Sequence, residues 1–397
     1  MFTIDIKKII SNIFSIKKSC NKKHKIITIL GIKIKLLNKS FTIDKNLIQK
    51  INNKIRDNSV LIVEFNDFHR EIMPGYVRYF EDLGYNVDIL TTLKRDTVDC
   101  FCRINASINQ YFATPATIQY FLTRNIECNK YEYIFFNSYS VFRNDISDIN
   151  LYKILKIDKD KIPNNWLFVA HTVEKVDKEF ITNNKTIALG ANLLNLPIVN
   201  PHYFGDVRIT NKNTKKTIFV ISGDNMKSFA FIVDAVENLL KANITNFKIY
   251  VTGRLKHKEL HNKHKKYINF LGYVNFKTLY KLIEDCDFII SGLNPENDTH
   301  NWYIKYGTSG AFQLCYGFCK PMIIPEKFAD KALLGNDSSI LYKSNADLAK
   351  AMKDAICMNN IEYQEKQLKI KVIEKTLYNL SLKNLHNMLK EENGKIK

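Results

Sequence analysis

Short apolar segments alternate with helical patterns in two successive series, and this alternation constrains the fold more than any other feature of the sequence. The first series comprises SVLIVEF (59–65), NVDILTT (86–92), EYIFFNS (132–138) and WLFVAHT (166–172). Continuous apolar runs of this length are typical of strands buried on both faces of a parallel sheet. Because parallel strands need long crossover connections, usually helical, the pattern predicts an α/β fold.

The second series predicts a second sheet of the same kind. Its strands are TIFVISG (217–223), FKIYVTG (247–253), INFLGYV (268–274), DFIISGL (287–293), PMIIPE (321–326) and SILYKS (339–344), and a helical stretch follows over 345–392. The sequence therefore predicts two doubly wound, Rossmann-like domains that face each other across a cleft. The predicted divisions are an N-terminal extension (1–55), an N-terminal domain (56–208), a C-terminal domain (209–375) and a helical tail (376–397).

Positive charge is concentrated at the start of the chain. The whole sequence has 59 Lys and Arg against 40 acidic residues, and residues 1–50 hold twelve Lys and two Asp. Ile spacing predicts a basic amphipathic helix over residues 1–19, and KHKIITILGIKIKLLN predicts a hairpin over 24–38. Such a segment favours an anionic partner, either a membrane surface or nucleic acid. A general enrichment of Lys, Asn and Ile in the sequence is the alternative explanation.

Several classes of protein are disfavoured. The sequence contains no run of 18 apolar residues, so no transmembrane helix is predicted. Its first residues lack a signal-peptide pattern. The eight Cys form no CxxC pair, which favours reduced thiols and a cytoplasmic location. His257, His261 and His264 lie in a Lys-rich segment without a second ligand motif, so we expect no metal site.

The loop after the first buried strand is the first candidate site. Residues 64–71 read EFNDFHRE, so two or three carboxylates and one imidazole follow directly on the strand end. A His beside a carboxylate suits general-base catalysis because its pKa lies near the operating pH. We therefore select His69, or failing that Asp67, as the catalytic base. A solvated loop that caps the next helix is the alternative.

Three loops of the second series suit an anion such as phosphate. Each follows a strand and combines Gly with a cation or a helix start. The candidate residues are Gly223, Asn225, Lys227, Arg254, Lys305, Thr308, Ser309 and Gly310. The last three could instead only cap their own helix. No GxxxxGK[ST] or GxGxxG motif is present, so we expect no dinucleotide cofactor.

Motifs of the second half resemble a known family. The runs INFLGYV, LYKLIEDCDFIISG and YGTSGAFQLCYGFCKPMIIPE are similar to the C-terminal domain of GT-B-fold glycosyltransferases of bacterial lipopolysaccharide and capsule biosynthesis. HREIMPGYVRYFEDLGYNVDIL resembles the first strand–helix–strand unit of these enzymes, and KIITILGIKIK resembles a segment often attached to them. The resemblance covers about residues 58–375.

The resemblance implies transfer of a sugar from a nucleotide-sugar to a surface-polysaccharide or lipid-linked saccharide acceptor, without a metal or other cofactor. It implies that Gly223 and Lys227 contact the donor diphosphate, and that the helix start at Thr308–Gly310 adds backbone N–H groups. Many retaining members carry two Glu eight positions apart near that helix. Here Glu296 has no such partner, because Ile and Gly occupy positions 304 and 317, so the stereochemical outcome stays open.

Two other functions remain as alternatives. One is another GT-B-fold enzyme, such as a nucleotide-sugar epimerase or a polyol-phosphate transferase. The other is a basic nucleic-acid-binding protein, but the first fifty residues lack Arg and interleaved aromatic residues, so we expect no nucleic-acid partner. An epimerase would gain nothing from a basic arm. We therefore expect a cytoplasmic glycosyltransferase whose extension is a candidate for peripheral binding to the inner face of the cytoplasmic membrane.

Overall fold

The chain folds into three sheets that follow one another, together with a small hairpin. The computed structural model describes residues 14–18, 24–29, 32–37, 42–66, 69–92, 99–143, 146–172, 177–183, 185–190, 194–222, 229–253 and 264–390. Within these ranges, no helix is both long and apolar enough to cross a membrane.

The first sheet is antiparallel and belongs to the basic extension. It consists of β1 (Phe14–Lys18), β2 (His24–Ile29) and β3 (Ile32–Leu37), in the order β1-β2-β3. The predicted hairpin over 24–38 is confirmed, whereas the predicted helix over 1–19 is wrong at Phe14–Lys18 and otherwise lies outside the described residues. In FSIKK, apolar and polar residues alternate, and this period of two allows the segment to pair with the hairpin edge.

The second sheet has six parallel strands in the order β11-β10-β7-β4-β5-β6. The elements of this first α/β unit are α1 (Lys45–Asn52), β4 (Ser59–Glu64), α2 (Met73–Asp82), β5 (Asn86–Thr91), β6 (Asn109–Phe112), α3 (Pro115–Arg124), β7 (Tyr133–Phe136), β8 (Ser140–Arg143), β9 (Ile146–Asn150), α4 (Leu151–Leu155), β10 (Trp166–Ala170), α5 (Lys178–Asn183) and β11 (Lys185–Ala188). β8 and β9 form a separate antiparallel hairpin. Helix α1 packs Ile48 and Ile51 into the core of this unit, although it lies within the predicted extension.

The third sheet is also parallel, in the order β14-β13-β12-β15-β16-β17. This second α/β unit contains β12 (Thr217–Ser222), α6 (Ala230–Lys241), β13 (Phe247–Thr252), β14 (Ile268–Gly272), α7 (Phe276–Asp285), β15 (Phe288–Ile290), α8 (Trp302–Lys305), α9 (Gly310–Phe318), β16 (Met322–Pro325), α10 (Glu326–Ala329), β17 (Ser339–Tyr342), α11 (Leu348–Cys357) and α12 (Asn360–Lys390). Every strand predicted for this unit is present.

Both sheets are covered by apolar residues on two faces, as their continuous apolar strands require. Two buried clusters flank the first sheet and two flank the second. The six residues of β4 are all buried, as are the four of β16. This double burial fixes both sheets as the central layers of three-layer units.

The last helix ties the two units together. Helix α12 contributes Ile370 and Leu377 to a core of the second unit, and Leu385 and Leu389 to a core of the first. The Tyr133 hydroxyl donates to the Leu389 carbonyl at 2.9 Å. The helix is continuous across residues 375 and 376, where the sequence predicted a division between domain and tail.

A second set of contacts joins the two units. Arg103 of the first unit donates to the Phe204 carbonyl at 2.6 Å, forms an ion pair with Glu284 of α7, and lies 5.0 Å from the centre of the Phe318 ring of α9. The Asp99 carboxylate also accepts the backbone N–H of Lys277, at the start of α7, at 3.2 Å. These contacts set the carboxyl edge of the first sheet against the second unit.

Candidate active site

In each sheet the chain reverses its direction of travel between two central strands. In the first sheet the chain runs from β4 outward to β6, then returns to β7 on the other side of β4. In the second sheet the same change occurs between β12 and β15. Crevices outside the carboxyl ends of strands at such points are the usual ligand sites of doubly wound sheets. The residues after β4 and β7 are therefore the first place to look.

A buried carboxylate stands at this point in the first sheet. Glu64, the last residue of β4, is only 1% exposed. Its Oε1 accepts the backbone N–H of Asn66 at 2.7 Å, and its Oε2 accepts the Asn137 amide at 2.6 Å and the Ser138 hydroxyl at 2.7 Å. Burial raises the pKa of Glu64, while the charge of His69 and these hydrogen bonds act in the opposite direction. The carboxylate therefore organises the loops that follow β4 and β7.

Two imidazoles pack against each other beside the hydrogen-bond partners of this carboxylate. The rings of His69 and His171 have centroids 3.7 Å apart and planes inclined by 33°. His171 follows β10, and its Nε2 donates to the Asn137 carbonyl at 2.6 Å, given the tautomer with the proton on Nε2. Burial lowers the pKa of His171 well below its ordinary value, and the neighbouring His69 lowers it further. His171 is thus the neutral member of the pair.

Both residues are partly exposed and border a pocket, and His69 also has a carboxylate beside it. The His69 side chain is 28% exposed, and its Nδ1 lies 3.7 Å from Glu71 Oε1. Burial raises the pKa of Glu71, but the contact with His69 outweighs it and lowers that pKa. His69 thus has a carboxylate neighbour, an arrangement that suits general-base catalysis.

The backbone of His69 is in an unusual conformation. Its φ of 66° lies in the left-handed region, which costs a residue other than glycine roughly 1 kcal/mol or more. The Asn137 amide donates to the His69 carbonyl at 2.9 Å and so contributes to holding this conformation. Strained residues of this kind are concentrated at functional sites.

The two rings border a small open pocket. It is lined by Asn66, His69, Ser138, Tyr139, Ser140, His171 and Thr172. Hydroxyl, amide and imidazole groups thus dominate its polar surface. Such a lining suits a hydroxylated substrate group.

The start of α9 faces this edge of the first sheet from the second unit. A Cβ atom added to Gly190, two residues beyond β11, would lie 4.0 Å from the Thr308 side chain. β11 is paired with β10, which carries His171 at its end. Because neighbouring strands lie about 5 Å apart, Thr308 meets the first sheet one strand away from the imidazole pair. Thr308, one of the predicted anion-site residues, therefore lies against the end of the strand next to the one that carries His171.

The candidate residues near this helix have distinct environments. Ser309 is the N-cap of α9, is 3% exposed, and accepts the Ala311 N–H at 3.3 Å. Gly310 is exposed, and a Cβ added there would meet open space. Lys305 is exposed at the end of the one-turn helix α8. The other candidates, Asp67, Gly223, Asn225, Lys227 and Arg254, lie outside the described residues.

Glu296 has a structural position in the same unit. Its two carboxylate oxygens accept the backbone N–H and the side-chain amide of Asn345 at 2.9 and 2.8 Å. It therefore joins the loop after β15 to the loop after β17. The buried His300 ring supports the same loop by accepting the Asn294 N–H at 2.7 Å.

Sequence reasoning did not select Glu64, Asn137, Ser138, His171 or Gly190. Four of these five lie in the last two positions of a predicted strand, which is the signal that could have identified them. A position at a strand end does not by itself show which residues meet. That depends on the strand order, because the pairing of β7 with β4 and β10 brings these strand ends together. Within the described ranges, no group of three or more His, Cys, Asp or Glu could hold a metal ion.

Comparisons with known proteins concern the fold. No protein-family model and no curated protein matches the chain. Among solved structures, Anabaena HepE in complex with UDP and glucose is 9% identical with a TM-score of 0.51, and the match covers 83% of this chain and 99% of that one. AviGT4, a glycosyltransferase involved in avilamycin A biosynthesis, is 9% identical with a TM-score of 0.50, covering 83% and 98%. With two facing Rossmann-like units, this chain has the GT-B fold, as the sequence predicted.

Proposed function

We propose that the protein is a glycosyltransferase that moves a sugar from a nucleotide-sugar donor to a saccharide acceptor. One observation carries the proposal: the start of α9 lies against Gly190 at the end of β11, one strand away from the His171 that packs against His69. A transferase needs a base for the acceptor hydroxyl and an anion site for the departing diphosphate, and it needs them close together.

The donor diphosphate binds at the second unit. Helix α9 presents its N-terminus to the crevice, and backbone N–H groups together with the helix dipole favour an anion there. Lys227 and Arg254 come soon after the central strands β12 and β13 in the sequence, and we assign them the positive charge of the site, with Lys305 adding to it. Gly223 and Asn225 allow close approach of the backbone. The HepE structure contains UDP and glucose, which supports a nucleotide-sugar donor.

The acceptor binds in the pocket of the first unit. His69 removes the proton from the attacking hydroxyl while the bond from the donor sugar to the diphosphate breaks. Glu71, 3.7 Å from the ring, stabilises the resulting imidazolium. His171 stays neutral and adds no repulsion. Asp67, two positions before His69, is the second candidate for the base. We propose that the transfer requires no metal ion or other cofactor.

The acceptor is a surface polysaccharide or a lipid-linked saccharide, handled at the inner face of the cytoplasmic membrane. The basic extension supports this part of the proposal. Its strand sequences FSIKK, HKIITI and IKIKLL combine Ile with Lys. Apolar contact and Lys charge both favour an anionic bilayer.

A turnover panel tests the proposal. The purified protein is incubated with UDP-, GDP-, CMP- and dTDP-sugars, with saccharide and lipid-linked acceptors, in the presence of EDTA. We expect nucleotide release that depends on one acceptor class, with a product heavier by one sugar residue. Isomerisation of the donor without acceptor would replace the proposal with an epimerase. Binding of duplex or single-stranded nucleic acid without any turnover would also contradict it.

A further inference from the structure

We propose that Glu64 is a positioning residue which, acting through Asn137, holds His69 and His171 face to face at the acceptor pocket. The inference rests on the proposed function, in which His69 takes the acceptor proton. Glu64 itself lies beneath the pocket lining, 1% exposed, and reaches the reacting groups only through its hydrogen-bond partners.

The carboxylate is held as an acceptor on both sides. Oε1 accepts the backbone N–H and the side-chain amide of Asn66 at 2.7 and 3.0 Å. Oε2 accepts the amide of Asn137 at 2.6 Å and the hydroxyl of Ser138 at 2.7 Å. A group that only accepts hydrogen bonds therefore meets four donors, and these donors come from the loops after β4 and β7.

Asn137 links Glu64 to both His residues by hydrogen bonds. The same amide nitrogen that donates to Glu64 also donates to the His69 carbonyl at 2.9 Å. The backbone carbonyl of Asn137 accepts from His171 Nε2 at 2.6 Å. One fixed residue thus sets the position of both rings, and Glu64 fixes the orientation of its amide. If the amide turned over, its oxygen would face the carboxylate and the His69 carbonyl, and both contacts would become repulsive.

The unusual backbone of His69 makes this support necessary. At a φ of 66°, a His residue relaxes toward an ordinary conformation when its restraints are lost. Such a change rotates the imidazole away from His171 and from the acceptor pocket. A displacement of about 1 Å at a reacting group can cost about 10²-fold in rate.

Glu64→Gln tests the role because it keeps the shape of the side chain and places an NH₂ group among the four donors. We expect kcat to fall about 10- to 100-fold while the KM for the donor stays within about twofold, since the donor binds the other unit. Asp88→Asn is the matched control. Asp88 is a fully buried carboxylate of the same sheet that accepts from Arg56, Asn109 and Tyr131, and its replacement should leave kcat within about twofold.

A double-mutant cycle separates positioning from general loss of stability. Asn137→Ala removes the amide that links Glu64 to His69. If both residues act along one route, the Glu64→Gln/Asn137→Ala protein loses no more activity than the worse single variant. Combining Asp88→Asn with Asn137→Ala should give simply multiplied effects. Multiplied effects in the Glu64–Asn137 pair, or normal kcat in Glu64→Gln, would overturn the proposal.

A readout without turnover keeps this inference distinct from the proposed function. In the wild-type protein the ring centroids lie 3.7 Å apart, so a nuclear Overhauser effect should connect ring protons of His69 and His171. We expect that effect to disappear in Glu64→Gln and to persist in Asp88→Asn, with both variants folded by circular dichroism. Its persistence in Glu64→Gln would refute the positioning role, even if no transfer activity were found for any substrate.

Discussion

His171 and His69 pack against each other but have different surroundings. Burial keeps His171 neutral, and its Nε2 is engaged with the Asn137 carbonyl at 2.6 Å. His69 has 28% of its side chain exposed beside Glu71. In the proposed mechanism His69 therefore takes the proton, while His171 provides a neutral surface against which the ring is held.

The depressed pKa of His171 predicts a pH dependence of stability. Between the low folded-state pKa and the ordinary value of about 6.5, the unfolded chain binds a proton that the folded chain does not, so stability falls as pH decreases through this window. We expect His171→Gln to show a smaller loss between pH 7.5 and pH 5.5. Urea unfolding at both pH values measures the difference. An unchanged pH slope in the variant would show that His171 is not held neutral.

The sequence alone predicted only some of the residues that meet at the candidate site. The EFNDFHRE segment identified His69 because titratable residues follow a buried strand there. His171 and Asn137 also lie near the ends of predicted strands, but their shared contact depends on β7 pairing with both β4 and β10. Pairing order is a long-range property that local apolar patterns do not encode.

At the scale of the element, helix α9 begins at candidate anion-site residues and ends against the segment around Phe204, which lies between β11 and β12. A Cβ added to Gly317 would lie 2.0 Å from the Phe204 ring and 2.2 Å from the His202 carbonyl. At Gly310, near the other end of the helix, an added Cβ would meet nothing within 4 Å. The two glycines thus form a matched pair on one helix.

We expect Gly317→Ala to lower the free energy of unfolding by about 1–3 kcal/mol or more, because a backbone oxygen cannot move aside easily. Gly310→Ala should be neutral or stabilising by up to about 1 kcal/mol, because Ala favours helix. Urea denaturation measures both. Equal stability of the two variants would contradict the close packing of α9 against the segment through Phe204.

We expect Lys227, between β12 and α6 in the sequence, and Arg254, after β13, to bind the donor. Lys227→Ala should weaken nucleotide affinity by about 1.5–3 kcal/mol, the usual value of a hydrogen bond to a charged group, and Arg254→Ala should have a similar effect. Lys241→Ala is the control, because Lys241 is exposed at the end of α6. Isothermal titration with the nucleotide checks the prediction. Affinities unchanged in both Lys227→Ala and Arg254→Ala would remove these two residues from the donor site.

Elements were predictable where their pattern was unambiguous. Long apolar runs gave every strand of the second sheet, because burial on both faces requires such runs. β6 and β11 were missed because NQYF and KTIA are short and partly polar. The Ile spacing before β1 fitted a helix as well as a strand, and pairing with the neighbouring hairpin decided the outcome at Phe14–Lys18.

On the scale of the whole molecule, α12 shows what no local pattern reveals. Its 31 residues pack against cores of both units, and the Asn200 N–H donates to the Ser381 hydroxyl at 2.8 Å. A periodic pattern indicates that a helix forms, but the surfaces that it covers depend on the assembled units. The predicted tail at 376–397 includes residues that complete a core of the first unit.

The extension is expected to bind anionic membranes. A truncated protein that begins at Thr42 retains α1, whose Ile51 is fully buried, and is therefore the proper comparison with the full chain. We expect the full chain to sediment with anionic vesicles at low salt and to be released as salt rises, since each Lys contributes about 1 kcal/mol and salt screens it. Equal sedimentation of both proteins, or no effect of salt, would argue against membrane docking.

Acceptor-dependent turnover in the wild-type protein and in His69→Ala tests the central claim most directly. Donor and acceptor are those found active in the nucleotide-sugar panel, and product is quantified by mass spectrometry. Loss of a general base typically costs 10²- to 10⁴-fold in rate, so we predict a drop of about that size with donor affinity and fold unchanged. Transfer by His69→Ala at the wild-type rate would contradict the assignment of the crevice between the two units as the catalytic site built around His69.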